Sequence, residues 1–491
     1  MALLLFILPT LAGLTAFFAR SAAVRRGLLL GTAVAHAALT GACWLRRPTA
    51  GAWSWLALDP VGLLFLSITS VLFLAAAVYA VGYLRTEAGH ELTDDEEGFL
   101  FTNAPEAVFV GCLLLFLAAM TLVTLSQHFG LLWIAIEATT LASAPLIYFH
   151  RHHRSLEATW KYLLVCSVGI ALALLGNFFL GVSLSQPGQE APALTVAEFV
   201  ARGSQVQGQW LKAAFILFLV GYGTKMGLAP LHTWLPDAHS EAPSMISALL
   251  SGALLNCAFL GIVRGQQVLV AAGQGAFGQD MLVCLGLVSM GVAAVFILGQ
   301  TDYKRLLAYS SVEHMGILAL GLGLGGAGAF GAMLHAVNHS LTKAALFLLA
   351  GNVLALYQTK AIPQVRGLLR SAPLTGILWM AGFLAITGTP PFGLFLSEFT
   401  VLKAALDAGR GWIATLYLVL LAIIFIGMAT AFLGMAQGRS EKTLSAGRRG
   451  DRLWEIAPPM ALCAVVLMLG VYVPPAMSAL MREIAQTLGG L

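Results

Sequence analysis

The sequence predicts an all-α, polytopic membrane protein of about 14 transmembrane helices, with an internal repeat of inverted topology and two discontinuous helices. Three observations carry this reading. The 491-residue chain is 59% apolar and only 10% charged, with a mean hydropathy of +0.85. One soluble core cannot bury that much apolar surface, so lipid must solvate most of it. The apolar residues fall in runs of about 20, the length of a membrane-crossing helix. Two of these runs combine prolines and glycines with a buried charge, at corresponding places in two halves of the chain.

The candidate helices lie near 2–19, 27–45, 60–84, 106–126, 129–149, 158–183, 211–236, 244–263, 281–300, 303–324, 327–357, 373–407, 411–436 and 453–476. In the first, Arg20, Arg25 and Arg26 follow the apolar core, whereas a cleavable signal peptide carries its basic residues before it. This is a membrane helix whose N-terminus faces away from the cytoplasm. The polar link 184–210 has room for a short surface helix. With the N-terminus outside, the cytoplasmic connections hold Arg85, Arg151, Arg154, Lys304, Arg305, Lys360, Arg366, Arg370, Arg439, Lys442, Arg448, Arg449 and Arg452. The opposite side holds few basic residues, which places both termini on the non-cytoplasmic side of the inner (cytoplasmic) membrane. The acidic connection 85–98 falls inside without contradicting this, because acidic residues contribute little to the bias. The expected units are N-terminal helices 1–105, a first repeat 106–263, a second repeat 281–436, and a C-terminal loop and helix 437–491.

A net charge of +4 gives no reason to expect a nucleic-acid partner. The six cysteines are scattered, which argues against a zinc site, an iron–sulfur cluster or a disulfide framework. No nucleotide-binding glycine motif or haem-attachment motif is visible. The expectation is a chain with no cofactor, no metal and no redox centre of its own, whose function lies in the membrane.

Ionisable side chains in hydrocarbon are expensive, so each demands a reason. A charge near a helix end is a snorkelling anchor by default, and Arg264, Lys304, Arg305, Lys403 and Arg410 are read that way. Glu137 lies mid-helix, too short to snorkel. Lys225 is as deep, and Pro230 and Pro236 interrupt its helix just afterwards. Proline lacks the amide hydrogen, so carbonyls a turn earlier lose their bonds. In lipid, such backbone is tolerated only where protein or water satisfies it. A charge beside a break therefore reads as an ion site. His232, Asp237, His239 and Glu241 follow nearer the surface, as candidates for an entry relay. In HAVNHSLTK (335–343), His335, His339 and Lys343 recur at i, i+4 and i+8 on one helical face. A lone histidine is more often a hydrogen-bonded core residue, but three titratable groups on one stripe suggest proton transfer. Glu313 and His314 lie about two turns into their helix. Glu398 follows a second break at Gly388, Pro390 and Pro391. Asn256 reads as a polar packing contact between helices.

The segments LLWIAIEATTLASAPLIYF (131–149), TKMGLAPLHTWLPDAHSEAPS (224–244), DYKRLLAYSSVEHMG (302–316), HAVNHSLTKAALFLLAGN (335–352) and GTPPFGLFLSEF (388–399) resemble the proton-pumping antiporter-like subunits of respiratory complex I, Mrp antiporters and group 4 hydrogenases. The run EATWKYLLVCS (157–167) and SVEHMG look most like the hydrogenase-4 F-type branch. The resemblance implies a fold of about 14 helices with two inverted five-helix repeats, and that Glu137 and Lys225 form a coupled ion pair. It also implies that His335, His339 and Lys343 lie on a central hydrophilic axis, and that Glu398 gates the far half-channel. Many members carry lysine or histidine where this chain has Asn256, so a relay there needs water or another route.

The expected function is that of a proton-translocating, non-redox subunit of a redox-driven complex. Its partners would be other membrane subunits and, through them, a peripheral redox arm. The alternatives are a subunit of a Mrp-type sodium/proton antiporter, a subunit of a bicarbonate or carbon dioxide uptake complex, and a scaffold that no longer pumps.

Overall fold

The computed structural model describes residues 1–47, 55–87, 91–93, 100–186, 191–438 and 452–490. In chain order the elements are α1 (Ala2–Phe18), α2 (Ala22–Leu45), α3 (Pro60–Glu87), β1 (Glu91–Thr93), β2 (Leu100–Thr102), α4 (Glu106–Leu125), α5 (Phe129–Ile147), α6 (His153–Leu184) and α7 (Val196–Ala201). These are followed by α8 (Gly208–Met226), α9 (Trp234–Glu241), α10 (Ser244–Leu249), α11 (Leu255–Ala271), α12 (Gly275–Ile297), α13 (Tyr303–Leu324) and α14 (Gly326–Tyr357). The chain ends with α15 (Leu368–Ser371), α16 (Pro373–Ile386), α17 (Gly393–Asp407), α18 (Gly411–Ala436), α19 (Leu453–Val471) and α20 (Pro475–Thr487). The protein is a multi-pass membrane protein, and among the described residues it is all-α apart from the antiparallel β1–β2 pair. Among the described residues, eleven helices are long and apolar enough to cross a bilayer, and α1 and α16 are shorter apolar helices. The count of fourteen is thus not met by unbroken rods. Most of the acidic connection 85–98 lies outside the described residues, as do Arg439, Lys442, Arg448 and Arg449.

Local chemistry sets several helix ends. Asp302 caps α13 by accepting from the amides of Lys304 and Arg305, and His128 caps α5 through its Nδ1. The polar link 184–210 does hold the short helix α7. The last segment is two helices rather than one: α19 stops at Val471, and α20 buries Leu480, Met481, Ile484 and Ala485 on one side.

Two helix pairs approach through glycine. A Cβ on Gly221 of α8 would stand 2.6 Å from the Gly169 carbonyl of α6. Gly286 of α12 and Gly316 of α13 exclude each other's Cβ in the same way, at 2.7 Å. Small residues let membrane helices close to backbone contact, where dispersion and packing replace the hydrophobic effect.

Both expected breaks are present, with one correction. The first spans 227–233, between α8 and α9. Gly227 adopts φ +83°, the left-handed conformation that closes a helix without a Cβ penalty. The carbonyls this frees are taken up inside the protein. Trp234 Nε1 donates to Thr224 O at 2.8 Å, and Leu228 N donates to Gly223 O at 2.9 Å. Ala229 N donates to Ser289 Oγ at 3.0 Å. Pro236 does not interrupt anything: it lies in the first turn of α9, where a missing amide hydrogen is tolerated. Residues 237–241, expected as a connection near the surface, are helical. The second break spans 387–392, where Thr389 N donates to Leu384 O at 2.9 Å and Asn338 Nδ2 donates to Gly393 O at 3.1 Å. Each break contains a cis prolyl bond, Ala229–Pro230 and Pro390–Pro391. Between α10 and α11 the helix widens to a π turn at Leu250–Leu254, completely buried.

Candidate functional site

The last turn of α8 carries Lys225 into the interior, where the residue is 0% exposed. Its Nζ donates to Thr140 Oγ1 of α5 and to Tyr162 OH of α6, both at 2.7 Å. Thr140 Oγ1 donates in turn to Glu137 Oε2 at 3.2 Å, one helical turn away on the same face. Ser167 Oγ of α6 holds the other carboxylate oxygen at 3.0 Å, and Tyr162 OH bonds Ser143 Oγ at 2.7 Å. Glu137 and Lys225 are therefore linked through a hydroxyl rather than by direct contact, and Glu137 is half-buried at the edge of this pocket. Cys166 and Cys257 are further neighbours of the ammonium.

A second group gathers on α13, α14 and α17. His335, His339 and Lys343 are all buried on α14. Lys343 Nζ donates to Leu307 O at 2.7 Å, and Glu313 is its acidic neighbour. Glu313 accepts from Ser310 Oγ at 3.3 Å. His314 Nδ1 and His335 Nε2 are 3.0 Å apart, and His335 Nδ1 lies 3.0 Å from Ser397 Oγ. The His339 ring lies 5.0 Å from that of His314. Glu398, buried on α17, brings its carboxylate within 4.8 Å of ligand atoms on both His314 and His335. Its position depends on the break: a Cβ on Gly388, at φ +61°, would collide with that carboxylate.

Polar side chains lie along the interior between the two groups. Asn256, one residue from Cys257, donates through Nδ2 to Ser340 Oγ and to Gly252 O, both at 2.8 Å. Ser251 and Ser311 share a hydrogen bond of 2.8 Å. Asn256 thus makes the interhelical packing contact expected of it, and Ser340 adjoins His339.

The four candidates after the first break separate. His239 is fully buried, contrary to its expected place near the surface. Its ring stacks on Phe347 with centroids 5.0 Å apart, and Lys343 and Lys304 are its charged neighbours. Asp237 pairs with Lys161 at 3.0 Å and with Arg305, which makes it a clasp between α6, α9 and α13. Glu241 pairs with Lys360 at 2.8 Å and lies 3.7 Å from His152 Nε2. Burial alone would raise its carboxyl, but Lys360, Arg154 and Lys304 override that and bring it down to about 2. His232 is buried against Tyr309 and Phe296, with ring centroids 6.1 and 6.4 Å away, and joins neither group through a hydrogen bond.

Two residues read as anchors are not. Lys304 is 2% exposed and donates to Ser240 O at 2.9 Å and Ala242 O at 2.6 Å, capping the C-terminal carbonyls of α9. Arg264 is 1% exposed and grips Asp59 with two bonds of 2.6 and 2.7 Å. Both lie near helix ends in sequence, where a buried partner from a distant segment leaves no local mark. Thr140, Tyr162, Ser167 and Ser397 also escaped sequence reasoning. Only Thr140 carried a signal, its i, i+3 spacing from Glu137.

Residues 126–425 match the family described as NADH:quinone oxidoreductase/Mrp antiporter, TM, a span that includes both breaks and both groups of buried charges. Among curated relatives, the Hydrogenase-4 component F homolog of Methylacidiphilum infernorum is 36% identical over 429 residues, 86% of each chain. Three other relatives are longer, and the chain spans only 53%, 53% and 54% of them. Among solved structures, an archaeal membrane-bound sulfane sulfur reductase complex contains a chain with a TM-score of 0.86 at 20% identity, covering 100% of this chain and 98% of that one. The Mrp complex from Dietzia sp. DQ12-45-1b contains one with a TM-score of 0.82 at 21% identity, covering 99% and 97%. At these identities the structural likeness speaks for the fold alone.

Proposed function

Because this chain belongs to the NADH:quinone oxidoreductase/Mrp antiporter family of membrane subunits, we propose that it translocates protons across the membrane as a non-redox subunit of a larger complex. The partners in this reading are other membrane subunits and, through them, a peripheral redox arm. The names of its curated relatives, hydrogenase-4 components and NADH-quinone oxidoreductase subunits, support that assignment. The basic bias of the connections supports an inner-membrane orientation with both termini outside. The glycine-paired helices and the break in each half support a division into repeats 106–263 and 281–436.

The observation that carries the reading is Lys225. It is a fully buried amine held by two hydroxyls, one of which also holds Glu137. Each contact can reverse its donor and acceptor roles, so a proton can arrive or leave without a charged group crossing lipid. Thr140 transmits the state of Glu137 to the amine. A proton released by Lys225 would pass by way of water and the polar residues near Asn256 to Lys343. From there His339, His314 and His335 lead to Glu398, and His239 and Glu313 flank Lys343. Groups coupled this closely titrate as a network, so the transferred proton belongs to the set. Glu241 and Asp237, locked in ion pairs, hold the cytoplasmic ends of the helices together, and His232 stands at the rim of the first break.

The test is proton uptake by sealed vesicles bearing the assembled complex. Lys225→Met and Glu137→Gln should each abolish uptake while electron transfer persists or becomes uncoupled. Unchanged uptake in both variants would overturn the assignment. Uptake that requires sodium would point instead to the antiporter reading, which the family's Mrp members favour.

A further inference from the structure

The group at Glu398 is arranged more tightly than a chain of proton carriers requires. His314, His335 and Glu398 come from three different helices and each offers one ligand atom, all three within 4.8 Å of one another. All three residues are buried. Glu398 Oε1 has no hydrogen-bond partner, and neither ring nitrogen of the neighbouring His339 has one. Buried polar atoms are nearly always paired, so an unpartnered carboxylate oxygen on a residue whose ligand atom lies within 4.8 Å of two imidazoles suits a cation.

We propose that His314, His335 and Glu398 form a binding site for a divalent transition-metal cation of zinc-like preference, with the His339 ring as a neighbour 5.0 Å from that of His314. Two imidazoles and one carboxylate are the donor set of three-ligand zinc sites that keep one position free. The nitrogens of His314 and His335 are 3.0 Å apart. Around a tetrahedral ion with bonds of about 2.0–2.1 Å they would be about 3.3 Å apart, so capture needs only a small opening of the pair. Ser397 holds the other nitrogen of His335 at 3.0 Å, the outer-shell contact that orients a ligating imidazole. Sodium, magnesium and calcium prefer shells of oxygen, and this site supplies one carboxylate. The way in is the break itself: Glu398 packs against Gly388, and Pro390 and Pro391 beyond it are exposed.

The site has a consequence that rests on the proton-relay reading. A bound cation occupies both nitrogens of the His314–His335 pair and leaves them nothing to exchange. Transport should stop while the metal is bound.

Cobalt(II) added to the whole purified complex is a direct probe, because its visible absorption reports nitrogen and oxygen ligation. We expect one cobalt per chain at this site, displaced by zinc and untouched by the remote Lys225→Met. Glu398→Gln should lose it, and Ser397→Ala, which keeps every ligand, should weaken it roughly tenfold. Because Ser397→Ala changes no ligand, it serves as the test if Glu398→Gln fails to assemble. An unchanged cobalt spectrum and stoichiometry in assembled Glu398→Gln, or an unchanged cobalt affinity in Ser397→Ala, would overturn the site. A second arm measures proton uptake at the zinc concentration that saturates the cobalt site. Inhibition supports both readings. Binding without inhibition leaves the metal site standing and overturns the passage of protons through His314 and His335.

Discussion

The hydroxyl of Thr140 is the smallest group on which the proposed mechanism depends. It accepts from an ammonium and donates to a carboxylate, and hydrogen bonds to charged groups contribute about 1.5–3 kcal/mol each. Thr140→Ala should slow proton uptake roughly ten- to hundredfold, and Thr140→Ser should restore most of it. Vesicle acidification compared across the three proteins checks this. Gly388 makes a second residue-scale case. Alanine there would be strained by the positive φ, at a cost of about 1–2 kcal/mol, and its methyl would displace the Glu398 carboxylate. Gly388→Ala should lower thermal stability in detergent and cut uptake as well. At this scale the charges were legible, because lipid makes each one conspicuous. The hydroxyls were not: serine and threonine are ordinary in membrane helices, and only the fold decides which of them faces a lysine.

At the level of elements, the breaks were legible from proline and glycine, but their limits were not. Pro236 looked like a breaker and is an initial-turn residue, since a proline's meaning depends on where the helix starts. The join of α3 to α11 was hidden altogether, because Asp59 and Arg264 lie far apart in sequence. Asp59 sits just before α3. Burial would raise its carboxyl, but the Arg264 guanidinium, with donors from Gly62 and Gln127, holds it below the usual carboxylate range. A carboxyl lowered in the folded state stabilises fully above its unfolded value of about 4 and loses that contribution as pH falls through the lowered one. The acid limb of the stability curve should therefore be shallower in Arg264→Met than in the native protein. Asp59→Asn strands a buried guanidinium, which costs about 3–5 kcal/mol, and adding Arg264→Met should recover much of that loss. Thermal midpoints of the single and double variants measure both effects.

For the whole molecule, composition alone fixed the solvent, and run length fixed most of the helices. The network of paired charges at the ends was out of reach, because it depends on which ends share a side. Lys161, Asp237 and Arg305 meet where α6, α9 and α13 come together, and Arg305 is among the basic residues assigned to the cytoplasmic side. Cysteines introduced at Thr301 and Ala408, both exposed, should be labelled from opposite faces of the membrane, Thr301→Cys from the cytoplasm. Labelling of both from one face by an impermeant maleimide would reverse or dissolve the proposed orientation.

The wide turn at Leu250–Leu254 works as a phase shifter. A helix with one additional residue in a turn carries everything downstream around by about 100° relative to a regular one. Cys257 owes its view of Lys225, and Arg264 its aim at Asp59, to that single surplus residue. Excising Ala253 would tighten the coil to regular pitch and swing both side chains off target, so one deletion far from any charge would detune the amine pocket and unlatch α3 together.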